Sequence, residues 1–274
     1  MNHKIKSIIK YTIAIAWSII NLTPLFVVIF GSFKTTNEIY MGPFVPPKAL
    51  DWSNYNKAIM QSGVLKGILN SFCYGIVSVI IILVVALMAG HVLARYKGKL
   101  INIIYIFFIL GVLVPVQATF IPLVETVGKL RMQGNIITMI VIYVTFNLPI
   151  SILLTTGYMK SIPKEIDEAA IIDGCGSFRI FTTITAPLSV PAAATAGILA
   201  FNNIYNDLIF AMLFISNSER RTITQVINGF STQYSSDMGA TFAAVVVAIT
   251  PMIIVFMCFQ EKVIAGMATG AVKG

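Results

Sequence analysis

The sequence predicts an all-α polytopic membrane protein with six transmembrane helices and both termini cytoplasmic. Three observations carry that expectation. Of 274 residues, 57% are hydrophobic and only 11% charged, against roughly 25% charged in a soluble domain. Mean hydropathy is +0.86. Apolar runs recur near 12–33, 68–94, 101–124, 136–159, 188–215 and 240–260, and a helix needs about 20 residues to cross the hydrocarbon core of a bilayer. So few charges cannot cover a soluble globule of this size, and so much apolar residue excludes a disordered chain.

The first run follows Lys4, Lys6 and Lys10. It is longer than the roughly 7–15 residues of a signal-peptide core and lacks a small-x-small cleavage site, so it reads as a retained span. An outer loop over 34–67 holds Pro43, Pro46 and Pro47, then Trp52 and Tyr55. Pro-Pro favours an extended segment and the aromatics suit an interface; a plain tether is the other reading. The second span ends at Arg95-Tyr96-Lys97-Gly98-Lys99, with three basic residues in five. The third and fourth runs are uninterrupted by charge. Asn202, Asn203, Asn206 and Asp207 interrupt the fifth, so a helix to about 207 followed by a re-entrant or interfacial piece is expected there. With the N-terminus inside, the inner segments hold 11 Lys and Arg and the outer ones 8. The dense basic cluster after the second span sets the orientation more firmly than the total.

Charge and chemistry exclude several functions. The net charge is +8, yet the basic residues sit at the ends of apolar runs, where they orient helices and meet anionic membrane lipid; no basic stripe points to nucleic acid. Cys73, Cys175 and Cys258 are an odd, widely spaced set, and His3 and His91 are the only histidines. Neither a disulfide framework nor a metal site follows. The chain has no GxxxxGK[ST], HExxH or GxSxG, and Arg179 stands where a dinucleotide turn would need its third glycine. No catalytic residue and no cofactor of its own are expected.

The loop over 160–187 is the most informative segment. Pro163 suits a first helical turn, and Glu165, Asp167 and Glu168 follow where the helix dipole favours acids. Ile166, Ala169, Ala170 and Asp173 share one face. Gly174 can end that helix in the left-handed region. Ser177 is placed to cap a second short helix carrying Phe178, Phe181 and Ile184, and Pro187 to open the fifth span, with Pro191 one turn later. Two short helices with a bend result, with a notch at Ala169–Ala170 for a close approach. An amphipathic helix lying on lipid is the competing reading, but such helices carry Lys and Arg, whereas this one starts acidic, which favours a protein partner.

The run Glu168-Ala169-Ala170-x-x-Asp173-Gly174, with Ile184 and Pro187-Leu188, resembles the EAA loop of binding-protein-dependent ABC importer permeases. The likeness extends over nearly the whole chain. It takes in Ala94-Arg95-Tyr96, Pro115, Ile121-Pro122, Asn206-Asp207, Pro251 and a tail with Gly266, Gly270, Lys273 and Gly274. The tail is similar to that of the carbohydrate group, of the maltose-transporter inner-membrane type. Ala186, Tyr205 and Cys175 stand where the family usually has Leu, Trp and Ala.

The resemblance implies a single permease domain over 1–274 with the type I ABC importer permease fold, a cytoplasmic coupling loop at 160–187 and a cytoplasmic tail at 262–274. It implies half of a sugar (oligosaccharide) pathway. The partners would be a cytoplasmic ABC ATPase dimer holding ATP and Mg, a second permease and an extracytoplasmic solute-binding protein. Glu168, Ala169, Ala170, Asp173, Gly174, Phe178, Ile184 and Pro187 would dock on the ATPase, Glu168 pairing with a basic group. The tail, which by composition is only a flexible end, would reach toward the ATPase pair. Asn202, Asn203, Tyr205, Asn206 and Asp207 would line the sugar pathway, amides and carboxylate for hydroxyls and the ring for C–H faces. Hydrogen bonding between helices is the other reading of these polar groups, and the outer rim the other place for Asp207. Gln117, Thr119, Asn147 and Pro149 are weaker pathway candidates that read better as packing. An ion-coupled secondary transporter or channel is the alternative function. It would need more intramembrane titratable groups than Asp207.

Overall fold

The computed structural model describes residues 3–61, 63–233 and 237–271, with side chains over 7–60, 63–229 and 237–259. Among the described residues every regular element is a helix. In order they are α1 (His3–Gly31), α2 (Thr36–Met41), α3 (Ser53–Gln61), α4 (Val64–Arg95), α5 (Lys99–Leu113), α6 (Phe120–Lys129), α7 (Ile136–Met159), α8 (Glu165–Ile172), α9 (Ser177–Ile180), α10 (Ala186–Leu188), α11 (Val190–Tyr205), α12 (Ile209–Phe214), α13 (Ile223–Gln233) and α14 (Met238–Ala271).

Four segments are long and apolar enough to cross a bilayer by themselves: Ser7–Gly31, Val64–Arg95, Ile136–Met159 and Met238–Phe259. The other two apolar runs are broken. Lys99–Leu113 and Val116–Lys129 meet at 95°, and Ser177–Leu188 and Val190–Tyr205 at 71°. The first break sits at Pro115, which has no N–H to donate and disfavours helix at the residue before it. Val114 is accordingly extended, at φ −70 and ψ 121. With each bent pair counted as one span the total rises to six, the third bent at Pro115 and the fifth then running over 177–205 rather than the expected 188–215. At its C-terminal end the fifth run follows its expected course: α11 stops at Tyr205, Asn206 forms its C-terminal cap, and α12 is a separate piece.

The chain divides into two compact units, residues 1–68 with 225–253 and residues 69–224 with 254–274. In the first, the outer loop is folded rather than an extended tether. Thr35 and Glu38 form a capping box that starts α2; hydrogen bonds from the Thr35 backbone and hydroxyl hold the Glu38 carboxyl below its ordinary pKa. The buried Asn54 amide donates to the Ser32 carbonyl at 3.0 Å and the Lys34 carbonyl at 2.9 Å. Lys57 pairs with Asp237 at 2.7 Å, and the Met238 N–H donates to Thr36 Oγ1 at 3.0 Å. Trp52 and Tyr55 pack their rings on Phe33, and Trp52 remains exposed. The side chains of α1 from Ile8 to Phe26 are mostly exposed, as on a helix that faces lipid.

In the second unit α7 is central, packed against α5, α11 and α12. The core is built on Tyr74, Ile82, Met139, Ile142, Tyr143 and Ile204. Small residues let backbones approach closely. A Cβ at Gly90 would lie 2.8 Å from Thr155 Oγ1, and the Thr155 hydroxyl donates to the Ala86 carbonyl at 2.9 Å. This is a hydrogen bond between helices at a small-residue contact, the usual glue where apolar side chains gain nothing from leaving lipid.

Candidate functional site

The loop over 160–187 folds as two short helices with a bend. Three acids occupy the first turn of α8, at the positive end of the helix dipole. Pro163 lies just outside this helix rather than in its first turn. Gly174 adopts φ +79. Its N–H donates to Ile171 at 3.0 Å and the Cys175 N–H donates to Ala170 at 2.9 Å. These two bonds are a full Schellman motif, and they satisfy carbonyls that the helix end would otherwise leave free. Gly176 takes the capping position of α9; Ser177, expected to be the cap, is its first helical residue, and no side-chain cap bond forms. The chain then widens into a π-turn over Phe181–Thr185. Pro187 follows in α10, without the N–H that an α-helix would direct to Thr183. The fifth span opens beyond it, at Val190 and Pro191.

The two faces of the loop differ. Glu168, Ala169, Asp173 and Gly174 are exposed, as are Ile172 (86%) and Phe178 (73%). Ile184 is half-buried and Pro187 exposed. Ala170, Ile180 and Thr185 are buried. The notch at Ala169–Ala170 is therefore split, Ala170 packing against its own chain and Ala169 facing out.

The inner face meets the end of the second span. Arg95, the last residue of α4, pairs through Nε with the Asp167 carboxylate, an ion pair rather than an aligned hydrogen bond. Its Nη1 donates to the carbonyls of Met159 and Ile162 at 3.0 and 3.1 Å. The Tyr96 hydroxyl lies 3.1 Å from Ser177 Oγ. A cavity of about 290 Å³ borders His91, Arg95, Tyr96, Asp167, Ser177 and Ile180. Sequence reasoning quoted Arg95 and Asp167 without joining them. Two charges far apart in the chain carry no signal of pairing until the fold closes.

At the end of α11 the polar residues separate into two groups. Asn202, Asn203 and Asn206 are exposed. Asn206 donates to Asn202, at 2.9 Å to its carbonyl and 3.0 Å to its side chain. Asn203 donates to the side chain of Asn147 on α7 at 3.2 Å. Tyr205 is buried at 3% exposure, stacked on Phe201 and edge-on to Phe72. Asp207 is half-buried and its carboxylate is fully engaged. Oδ1 accepts from the Phe210 N–H at 3.2 Å, and Oδ2 from the Ala211 N–H and the Tyr143 hydroxyl, each at 3.0 Å. Asp207 therefore starts α12 and fastens it to α7. Tyr143 was not legible in the sequence, because a lone tyrosine in an apolar helix reads as packing. Gly266 and Gly270 fall within α14, which continues to Ala271; Lys273 and Gly274 lie outside the described residues. Among the described residues no group of three His, Cys, Asp or Glu could hold a metal ion.

Comparison with known proteins matches this architecture. Residues 82–268 match the family described as the binding-protein-dependent transport system inner membrane component. An ABC transporter permease protein of Caldicellulosiruptor sp. (strain Rt8B.4) is 35% identical over 259 residues, covering 94% of each chain. The multiple sugar-binding transport system permease protein MsmG of Streptococcus mutans is 34% identical over 274 residues, covering 98% of each. Among solved structures, a chain of a bacterial ABC transporter that imports the acidic polysaccharide alginate superposes with a TM-score of 0.80. It is 20% identical and covers 94% of this chain and 96% of its own, a likeness of fold. The apolar spans with two sharp bends, the acidic loop between the fourth and fifth, and these matches lead to one conclusion: the chain belongs to the inner-membrane components of binding-protein-dependent transport systems, and is a multi-pass transport subunit of the cell membrane, not an enzyme.

Proposed function

We propose that this chain is one permease half of an ATP-driven sugar importer and that its loop over 160–187 docks on a cytoplasmic ATPase. The observation that carries this reading is the two-sided loop. Its inner face is tied to the ends of two spans, while Glu168, Ile172 and Phe178 are turned outward. Exposed large apolar groups beside a carboxylate, on either side of a turn closed by a Schellman motif, suit a protein cleft better than water. In this arrangement both termini are cytoplasmic. An ATPase dimer holds ATP and Mg, and a second permease completes the pathway. The end of α14 that carries Gly266 and Gly270 is the part of the chain assigned to regulation of the ATPases. The outer loop faces a solute-binding protein.

Sugar as the substrate class is supported by the multiple sugar-binding transport system relative. The exposed amides of Asn202, Asn203 and Asn206 are the groups able to meet sugar hydroxyls. Tyr205 and Asp207 support that surface from behind. Asp207 is the residue on which an ion-coupled mechanism would depend, and its carboxylate is occupied as a helix cap.

The test is gentle affinity purification of the complex from its native membrane, as wild type and as Glu168→Lys. The wild type is expected to bring an ATPase and a second permease. The variant is expected to insert normally, lose the ATPase and lose uptake, since truncating one partner of a desolvated interface charge pair costs about 2–5 kcal/mol. Normal sugar uptake by Glu168→Lys refutes the docking assignment.

A further inference from the structure

We propose that Arg95 and Tyr96 form a clamp that fastens both helices of the coupling loop to the second and fourth spans, so that displacement of the loop is delivered to those spans as a unit. The proposal rests on the docking of this loop on an ATPase and adds how the motion leaves the loop. The contacts come from one dipeptide at the end of α4. Arg95 reaches Asp167 in the first turn of α8 and, with the same guanidinium, the carbonyl of Met159, the last residue of α7, and that of Ile162 in the link just beyond it. Tyr96 reaches Ser177 at the start of α9. Each half of the coupling loop is therefore held, and the two grips lie on either side of the bend at Gly174.

The chemistry suits a link that stays closed. The Arg95 and Asp167 side chains are only 8% and 13% exposed. Separating them would leave a charge unpaired out of water, which is far more costly than separating a surface pair. Only arginine can do this work, because its planar fork serves a carboxylate and two carbonyls at once, whereas an ammonium is a single point. A loop held only by its flanking segments, Lys160–Lys164 and the residues after Thr185, would tilt in place when pushed. Fastened at both helices, it carries the ends of α4 and α7 with it. Arg95, Asp167, Tyr96 and Ser177 are thus positioning residues for transport and need not touch ATP or substrate.

The test uses the complete complex reconstituted in vesicles, with uptake and ATP hydrolysis measured together. Asp167→Asn and Arg95→Lys are expected to keep the ATPase bound, because the outward face is untouched, but to lower substrate moved per ATP by about tenfold, within the range of typical coupling between sites. Tyr96→Phe removes one exposed hydroxyl, does not threaten folding, and is expected to give a smaller loss of the same kind. The decisive measurement replaces Cys73, Cys175 and Cys258 by Ala and then introduces Tyr96→Cys with Ser177→Cys. Before cross-linking, substrate moved per ATP is expected to fall; a short bifunctional thiol reagent that rejoins the two positions is expected to restore it. Arrest of uptake by the cross-link, with the ATPase still bound, overturns the clamp, because the loop and the second span would then have to separate during transport. Unchanged coupling in the uncross-linked variants overturns it equally. Wild-type uptake that proceeds without ATP or without a bound ATPase overturns the docking reading itself.

Discussion

Asp207 illustrates how a polar residue in an apolar run changes meaning once its partners are seen. Both of its oxygens are taken by the start of α12 and by Tyr143. Asp207→Ala is expected to cost about 1 kcal/mol as a lost helix cap and to lower the unfolding temperature of the purified complex, with uptake falling for every substrate alike. Asn202→Ala and Asn206→Ala are expected instead to raise KM with little change in unfolding temperature, as exposed groups should. An unchanged unfolding temperature in Asp207→Ala would remove the capping role. Gly174 is constrained differently. A Cβ there meets nothing within 4 Å, so the position is open and only its φ of +79 resists substitution. Uptake is therefore expected to fall in the order Gly174→Asn, Gly174→Ala, Gly174→Val. Asparagine tolerates the left-handed region, and other side chains pay roughly 1–2 kcal/mol. Equal activity in all three would show that the bend is not under backbone control.

At the scale of elements, the described outer loop is joined to the start of the last span by close backbone approach and by charge. A Cβ on Gly239 would lie 2.2 Å from the Lys34 carbonyl and 2.6 Å from the Asn54 amide. Since a backbone atom cannot step aside as a side chain does, Gly239→Ala is expected to cost about 1–3 kcal/mol, read as a lowered unfolding temperature. Beside it, burial alone would raise the Asp237 carboxyl, but the hydrogen bonds from Lys57 and the Ala240 N–H outweigh burial and hold it below its ordinary value. A carboxyl depressed in the folded state stabilises above its unfolded pKa, and that contribution is lost as pH falls through the folded value. Asp237→Asn should therefore flatten the acid side of the stability profile below about pH 4 and matter less at neutral pH, where a half-exposed pair contributes about 1 kcal/mol or less. A profile identical to wild type below that pH would deny the pair its role.

At the scale of the whole molecule, this chain supplies a path and a lever but no source of energy. It carries no phosphate-binding loop. Uptake by the reconstituted complex is therefore expected to require ATP and the solute-binding protein and to be indifferent to collapse of ion gradients, and the isolated chain is expected to hydrolyse no ATP. Uptake abolished by an ionophore while ATP is maintained would return the ion-coupled alternative. The sharp bends bear on the same point. Pro115 breaks the third run at 95°, and the 71° bend before Val190 separates the coupling loop from the fifth span.

Much of this was legible along the chain. Hydropathy and length reveal six apolar runs because the bilayer imposes its thickness on any helix that crosses it. The acidic start of α8 and the glycine at its end are also readable, because dipole and φ preferences act within a few residues. Ser177 was misplaced by one position because Gly176, at φ −73 and ψ 160, already takes the extended cap geometry. The 95° bend of the third run was not read from the sequence, because hydropathy does not register direction. The tertiary structure alone settled which polar groups are spent on the fold and which remain free to act. Arg95 with Asp167, Asp207 with Tyr143 and Asn203 with Asn147 are each distant in sequence. A charge or amide has no meaning until its partner is within about 3 Å, and only the closed chain brings it there.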